Sequence, residues 1–163
     1  APSVPLFPYT TLFRCTTPVQ LVAFGFGTGL SRMAPGTFGT MVGVLLFVLL
    51  GRLDLVWYLL AVGAALSSGV WICGVTAESL GVHDHPSIVW DEVVGYLITM
   101  TAVPIDWRWI LAGFVLFRLL DIIKPWPIKL IDRRMQGGLG IMIDDVAAGL
   151  IACGMLHLAL WLL

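Results

Sequence analysis

Charged residues are scarce in this 163-residue chain. Asp, Glu, Lys and Arg make up only 12% of it, whereas ordinary soluble domains carry about 25%. Apolar residues supply 59%, and a soluble fold of this length has too little interior to hide that much apolar surface. The composition therefore favours a polytopic membrane protein over a soluble domain with a large core, and the length fits one domain.

Several other features are missing, and each excludes a class of protein. The net charge is −1, so composition gives no indication of a nucleic-acid partner. Cys15, Cys73 and Cys153 are widely spaced and form no CxxC pair, which argues against a disulfide framework and a zinc site. The chain contains neither a GxSxG sequence nor a Walker-type phosphate loop, so those two catalytic signatures are also absent.

The N-terminal region differs from the rest of the chain. Residues 1–17 have prolines at positions 2, 5 and 8 and lack the pattern of a signal peptide. We expect a mobile tail without a functional role there, followed by a single membrane-embedded catalytic domain at residues 18–163. Within that domain, residues 18–37 are glycine-rich and too short in apolar content to span a bilayer. They fit either an interfacial helix or a re-entrant loop in which Ser31-Arg32 and Pro35-Gly36-Thr37 line a polar site.

Apolar stretches separated by polar turns predict an all-α membrane bundle with about five spans. The stretches cover residues 38–50, 55–77, 88–103, 109–123 and 143–163. In this topology most basic residues fall on one side, and the positive-inside rule places that side in the cytoplasm. They are Arg14, Arg32, Lys124, Lys129, Arg133 and Arg134, whereas Arg52 and Arg108 lie opposite. Three polar segments, 31–37, 78–92 and 118–145, then share the cytoplasmic face, and the last of them is expected to contain a glycine-rich turn before Asp144 and Asp145.

Carboxylates at the cytoplasmic ends of these spans are the main candidates for chemistry. They are Asp91, Glu92, Asp121, Asp144 and Asp145. An acid in the first turn of a helix can simply complement the helix dipole, but Asp121 lies near a C-terminal end, where the dipole disfavours an anion. Asp121 can alternatively form a structural ion pair with Arg118. Crowded acids need protons or a cation to offset their repulsion, and Mg²⁺ prefers such oxygen ligands.

Basic side chains and glycine-rich backbone beside the acids suit a phosphate group. The candidates for holding phosphate are Ser31, Arg32, Gly36, Thr37, His85, Arg118 and Lys124, with Arg133 and Arg134 nearby. A histidine of the His83–His85 cluster can serve as a general acid, although a solvated loop with capping roles fits that cluster as well. Segment 128–135 alternates bases with aliphatics and better suits the anionic surface of the inner leaflet.

Four segments resemble the bacterial phosphatidylglycerophosphatase A family in sequence, order and spacing. They are GFGTGLSRMAPGTFGT, GVHDHPSIVWDEVVG, FRLLDIIKPWPI and GGLGIMIDDVAAG, and the resemblance covers roughly residues 19–160. It implies a Mg²⁺-dependent lipid phosphatase of the bacterial inner membrane that converts phosphatidylglycerophosphate to phosphatidylglycerol and phosphate. It places Asp91 and Glu92 in an IVWDE motif, Asp121 and Lys124 in a DxxKPWP motif, and Asp144 and Asp145 in a GIMIDD motif.

Residues and resemblance together lead us to expect metal-assisted hydrolysis of a phosphomonoester of a membrane lipid. The five carboxylates would supply the metal ligands, with one left over as the base for water. An aspartyl-phosphate intermediate is the alternative within this chemistry. A small ion- or proton-coupled transporter would use the buried acids as a relay, but the chain has no internal repeat. An enzyme that transfers a CDP-activated lipid is disfavoured because its longer acidic motif is absent.

Overall fold

The computed structural model describes residues 17–82, 85–125 and 137–163, and every regular element in these ranges is helical. The elements are α1 (Pro18–Ala23), a 3₁₀ turn (Thr28–Leu30), α2 (Pro35–Leu50), α3 (Leu55–Leu80), α4 (Trp90–Thr99), α5 (Trp107–Ile123) and α6 (Gly137–Leu162). The predicted all-α class is confirmed for this part of the chain. The predictions for residues 1–16, His83, Asp84, Lys129, Arg133, Arg134 and segment 128–135 lie outside the described residues.

The short helix α4 lies at the centre of the bundle, and four longer helices surround it. Its residues from Val93 to Thr99 are all buried, and it packs against α2, α3, α5 and α6. Glycines allow the closest approaches: a Cβ atom on Gly149 would lie 2.5 Å from the Gly95 carbonyl oxygen. Such contacts hold α4 at a fixed depth, because a shift along either helix would bring side chains into the space that these glycines leave.

In the described parts of the chain, α3 and α6 are the two helices that are long and apolar enough to cross a membrane by length and composition. Each has 26 residues and is about 39 Å long, compared with about 30 Å of hydrocarbon in a bilayer. Only 17% of the most apolar window of α3 is buried inside the protein, and Trp57 and Trp71 are exposed on it. An apolar surface of this extent supports a membrane protein, since lipid chains can cover it.

The predicted spans differ from the observed helices mainly at α4 and α6. The stretch 88–103 contains a helix of only 10 residues, which at about 15 Å is too short to cross a bilayer alone. The glycine-rich sequence after residue 136 was predicted as a turn, but it forms the first turn of α6, which begins at Gly137 and not near residue 143. Close packing is the reason, because a Cβ atom on Gly138 would overlap the Val70 carbonyl of α3.

The segment before α2 folds onto the start of α4. After α1 the chain turns through Gly25, Phe26 and Gly27, all with positive φ. The backbone N–H of Val89 donates to the Ala23 carbonyl at 2.9 Å, which ties this segment to the residue that precedes α4. Residues 17–34 thus form a short helix and a series of turns, and they bring the N-terminal end of α2 next to the first turn of α4.

Candidate active site

A cavity of about 400 Å³ at one end of the bundle gathers polar residues from three helices. Its five acidic residues are Asp91 and Glu92 from α4, Asp121 from α5, and Asp144 and Asp145 from α6. Its two basic residues, Arg118 and Lys124, come from α5 and the residue that ends it. Ala34, Pro35, Gly36, Pro86, Ile88, Gly140 and Ile141 complete the wall. All five predicted carboxylates therefore meet in one place.

Helix α4 contributes its two carboxylates from a first turn that lies deep in the bundle. The indole N–H of Trp90 donates to the Ala65 carbonyl of α3 at 3.1 Å. Ala65 lies in the middle of α3, so the Trp90 side chain fixes the first turn of α4, with Asp91 and Glu92, against that helix. Among the described residues, Asp91 Oδ1 and Glu92 Oε2 are buried without a hydrogen-bond partner. The N-terminal end of the helix dipole favours anions here, but it supplies neither oxygen with a donor.

Helix α6 contributes Asp144 and Asp145 from about 10 Å inside its own N-terminal end. Asp145 is only 3% exposed, and its Oδ2 has no hydrogen-bond partner in the described parts of the chain. Gly140 and Ile141 precede the two aspartates by four residues and therefore share their helix face. Sequence reasoning missed these two wall residues, although the helical period in the GIMIDD motif was a signal that would have found them.

Both basic residues of the cavity bind its carboxylates. Arg118 donates to Asp121, and its Nη1 lies 3.8 Å from Glu92 Oε1. Lys124 donates to Asp144 of α6. The Arg118–Asp121 pair that was expected as a structural alternative is present, and Asp121 nonetheless lines the cavity. Lys124 ends α5 with a φ of 43°, a left-handed conformation that costs a residue with a Cβ atom free energy and that recurs at functional sites.

Two groups of three carboxylates lie close enough to hold a metal ion. One consists of Asp91, Glu92 and Asp145, and the other of Asp121, Asp144 and Asp145. Within each group, one oxygen from every residue lies within 4.8 Å of the others. The oxygens around an octahedral Mg²⁺ are about 2.1 Å from the ion and hence about 3 to 4 Å from one another. Small side-chain movements would bring the oxygens of each group to these distances, so the residues fit a hard divalent cation.

The N-terminal end of α2 forms another part of the cavity wall. Ala34 precedes the helix with a left-handed φ of 49°, and Pro35 occupies its first turn. Helix N-termini present unpaired backbone N–H groups and partial positive charge, which suits an anion. A Cβ atom on Gly36 would overlap Glu92 Oε1 and lie 3.0 Å from both terminal nitrogens of Arg118. Sequence reasoning identified Pro35 and Gly36 as lining a polar site but missed Ala34. Both predicted residues lie in the first turn of α2, where proline is typical.

Four residues predicted to hold phosphate are not part of the cavity wall. They are Ser31, Arg32, Thr37 and His85. The Ser31 hydroxyl donates to the Met33 carbonyl at 2.9 Å, and Arg32 is exposed. His85 Nδ1 accepts a hydrogen bond from the Ser87 backbone N–H at 3.1 Å. Their contribution to phosphate binding stays a prediction.

Comparison with known proteins finds relatives that cover most of the chain. The family model described as Phosphatidylglycerophosphatase A matches residues 21–160. A protein of that name from Escherichia coli is 48% identical over 145 residues, which cover 88% of this chain and 84% of the relative. Another of that name, from Haemophilus influenzae, is 47% identical over 137 residues, with 83% and 84% covered. No solved structure matches the chain.

Proposed function

The chain belongs to the phosphatidylglycerophosphatase A family, and we propose that it hydrolyses the phosphomonoester of phosphatidylglycerophosphate to phosphatidylglycerol and inorganic phosphate. It is accordingly a phosphoric monoester hydrolase. The observation that carries the proposal is the cavity in which five carboxylates and two cationic side chains meet. The names of both relatives favour hydrolysis over the ion-coupled transport that buried acids alone would also fit.

In this proposal the cofactor is Mg²⁺, held by carboxylates among Asp91, Glu92, Asp121, Asp144 and Asp145. When bound, the cation would neutralise charge on the phosphoryl group and orient the attacking water. The buried carboxylate oxygens that lack hydrogen-bond donors support this assignment, because an uncompensated buried charge is costly and a cation offsets it.

The chain's own residues bind the phosphate and move protons. Arg118 and Lys124 each hold a carboxylate next to the cavity, and their N–H donors can turn to phosphate oxygens, with which they form strong charge-assisted hydrogen bonds. At the start of α2, Pro35 has no backbone N–H and that of Thr37 donates to the Ala34 carbonyl, so Gly36 supplies the further backbone donor. A carboxylate oxygen that does not hold the metal accepts a proton from water as the water oxygen bonds to phosphorus. The ester bond breaks, and the same carboxylate returns this proton to the lipid oxygen as it leaves.

The proposed topology places the site at the cytoplasmic face of a bacterial inner membrane. Helices α2, α3, α5 and α6 cross the membrane, and α4 with its flanking residues forms a fifth crossing inside the bundle. Val89 and Met100, which flank α4, are fully buried, and non-helical backbone is tolerated at membrane depth when protein covers it. The positive-inside rule orients the cavity end, with Arg32 and Lys124, toward the cytoplasm.

Phosphate release from phosphatidylglycerophosphate by the purified chain tests the function. We expect release that requires Mg²⁺ and stops when the metal is chelated. Asp121→Asn should lose most of this activity. Asp54→Asn is the matched control, because Asp54 is an exposed carboxylate in the turn before α3 and its side chain makes no capping hydrogen bond.

Two results would contradict parts of the proposal. A wild-type chain without metal-dependent release would contradict the function itself. Full activity in a folded Asp121→Asn variant would remove Asp121 from the catalytic residues and leave the function in place.

A further inference from the structure

The geometry of the cavity points to two divalent cations that share the carboxylate of Asp145. This inference rests on the metal-dependent hydrolysis proposed above, and it adds the number of ions and the residue that joins them. It begins from the composition of the two carboxylate groups. One combines Asp145 with the α4 residues Asp91 and Glu92, and the other combines it with Asp121 and Asp144. Asp145 is the member that the two groups have in common.

The position of Asp145 suits a bridge between two ions. A carboxylate has two oxygens, and a bridging one gives an oxygen to each metal. Enzymes that cleave phosphate esters with two metals hold them about 3.5–4 Å apart, a separation that one carboxylate can span. Asp145 is 3% exposed and lines the cavity, and its Oδ2 has no hydrogen-bond partner among the described residues. A buried oxygen of this kind needs a cation more than an exposed one does.

Charge balance favours two ions over one. Counted over the described residues of the wall, five ionised carboxylates against Arg118 and Lys124 give three excess negative charges. One divalent ion would leave the cavity with one negative charge before the phosphate dianion arrives. Two would leave it with one positive charge. Because Coulomb energies are large at such short distances and low dielectric, only the second arrangement attracts the substrate.

The two proposed metal positions differ in whether basic side chains already bind their carboxylates. Asp121 and Asp144 are bound by Arg118 and Lys124, whereas Asp91 Oδ1 and Glu92 Oε2 have no donor among the described residues. The first ion therefore binds Asp91, Glu92 and Asp145. The second ion competes with these two cationic side chains for the carboxylates of Asp121 and Asp144, so it binds more weakly. Competition of this kind also makes Arg118 and Lys124 available to the phosphate.

Titration with Mn²⁺ as the probe metal tests this inference without reference to activity. The purified full chain in detergent is dialysed against increasing Mn²⁺, bound metal is counted, and electron paramagnetic resonance spectra are recorded. We expect a first ion with a mononuclear spectrum and a weaker second ion whose addition produces a spin-coupled pair. One ion per chain at saturation, or two ions without spin coupling, would overturn the inference.

Substitutions assign the ions to the two groups. Asp121→Asn should retain one ion with a mononuclear spectrum, Glu92→Gln should weaken the binding of the first ion, and Asp145→Asn should abolish the coupled spectrum. Glu78→Gln, at an exposed carboxylate near the end of α3, should keep two coupled ions. Gel filtration and thermal unfolding confirm folding in each case. If Asp145→Asn does not fold, the number of Mn²⁺ ions bound by the wild-type chain and their spin coupling still decide whether the cavity holds a metal pair.

The metal count and the phosphatase assay separate the two proposals. A coupled Mn²⁺ pair in a chain that does not hydrolyse phosphatidylglycerophosphate would contradict the proposed function and support the paired site. Metal-dependent hydrolysis by a chain that binds one ion would support the function and contradict the paired site. A coupled spectrum that persists in folded Asp145→Asn would show that another residue forms the bridge.

Discussion

Gly36 provides the closest contact between α2 and the charged residues of the cavity. A methyl group at this position would overlap Glu92 Oε1 and crowd the Arg118 guanidinium. In Gly36→Ala we expect the fold to persist, because the atoms that must move belong to side-chain ends. Glu92 would then leave its position, and phosphatase activity and affinity for the metal should fall by about 10–100-fold, as for other residues that support metal ligands.

Gly63→Ala is the matched control for this substitution. Gly63 lies inside α3 and is exposed, and a Cβ atom there would meet nothing within 4 Å. Alanine at an open helical position should keep full activity and raise stability by up to about 1 kcal/mol through helix propensity. Steady-state phosphate release and a metal titration of both variants give the comparison. Wild-type activity and metal affinity in Gly36→Ala would show that the site tolerates a larger separation of α2 from Glu92.

At the scale of single residues, the sequence predicts the acidic residues of the cavity better than the other residues that line it. Asp121 was identifiable because an anion near a helix C-terminus inside an apolar run is costly and calls for an explanation. The Lys124–Asp144 pair was not predictable, because it depends on the left-handed turn at the end of α5 and on the packing of α5 against α6. Ala34 carries no polar side chain, so only the fold identifies it as part of the wall.

The packing of α4 against α6 positions four of the five carboxylates, and Gly149 lies at a close contact between these helices. A Cβ atom there would lie 2.5 Å from the Gly95 backbone carbonyl. Because backbone cannot rotate away as a side chain can, Gly149→Ala must separate the helices. We expect a loss of about 1–3 kcal/mol in unfolding free energy, typical of overpacking. Activity should fall as well, because Asp144 and Asp145 move with α6.

A control for this prediction lies on the same helix. Gly154 is exposed, and a Cβ atom there would meet nothing within 4 Å, so Gly154→Ala should unfold at or slightly above the wild-type temperature. Thermal unfolding in detergent, read alongside phosphate release, distinguishes the two glycines. Equal stability of both variants would contradict the assignment of Gly149 to a tight helix contact.

The other end of α4 depends on a hydrogen bond from α3. The Tyr58 hydroxyl donates to the Leu97 carbonyl at 2.6 Å, close to the point where the short helix ends and its carbonyls lose partners within the helix. Tyr58→Phe should lower the unfolding free energy by about 0.5–1.5 kcal/mol. Because the carboxylates lie at the opposite end of α4, the Michaelis constant and turnover number should change little. A large loss of activity at unchanged stability would contradict the inference that this end of α4 contributes to stability and the opposite end to catalysis.

The sequence predicts where most helices lie and fails where packing decides their ends. Helix α3 was predicted at residues 55–77 and spans Leu55–Leu80, since its apolar run is bounded by clear polar turns. The α4 stretch is equally apolar, but its ends are set by tertiary contacts such as the Val89–Ala23 hydrogen bond. Gly137 and Gly138 were misread as a turn, because a glycine that serves close helix contact has the same local sequence signal as one that breaks a helix.

At the scale of the whole molecule, a polar cavity lies inside a surface made largely of exposed apolar side chains. Large side chains such as Leu60 and Trp71 of α3, Ile122 of α5 and Leu150 of α6 are all more than half exposed. Lipid can cover such a surface, whereas the ionised groups of the cavity require water or protein around them. Under the proposed function, this arrangement would keep the acyl chains of the lipid beside the helices while its phosphate reaches the carboxylates.

The orientation of the molecule in the membrane can be tested with α3 alone. Asp54 and Glu78 flank its apolar run, both are exposed, and they are separated by about 36 Å of helix, more than the hydrocarbon thickness of about 30 Å. With the native cysteines replaced, Asp54→Cys should react with a membrane-impermeant maleimide applied to spheroplasts. Glu78→Cys should react only in inside-out vesicles. Labelling of both from one side would contradict the crossing of α3. The reversed pattern would preserve the crossing but place the catalytic cavity outside the cytoplasm, against the excess of basic residues at that end.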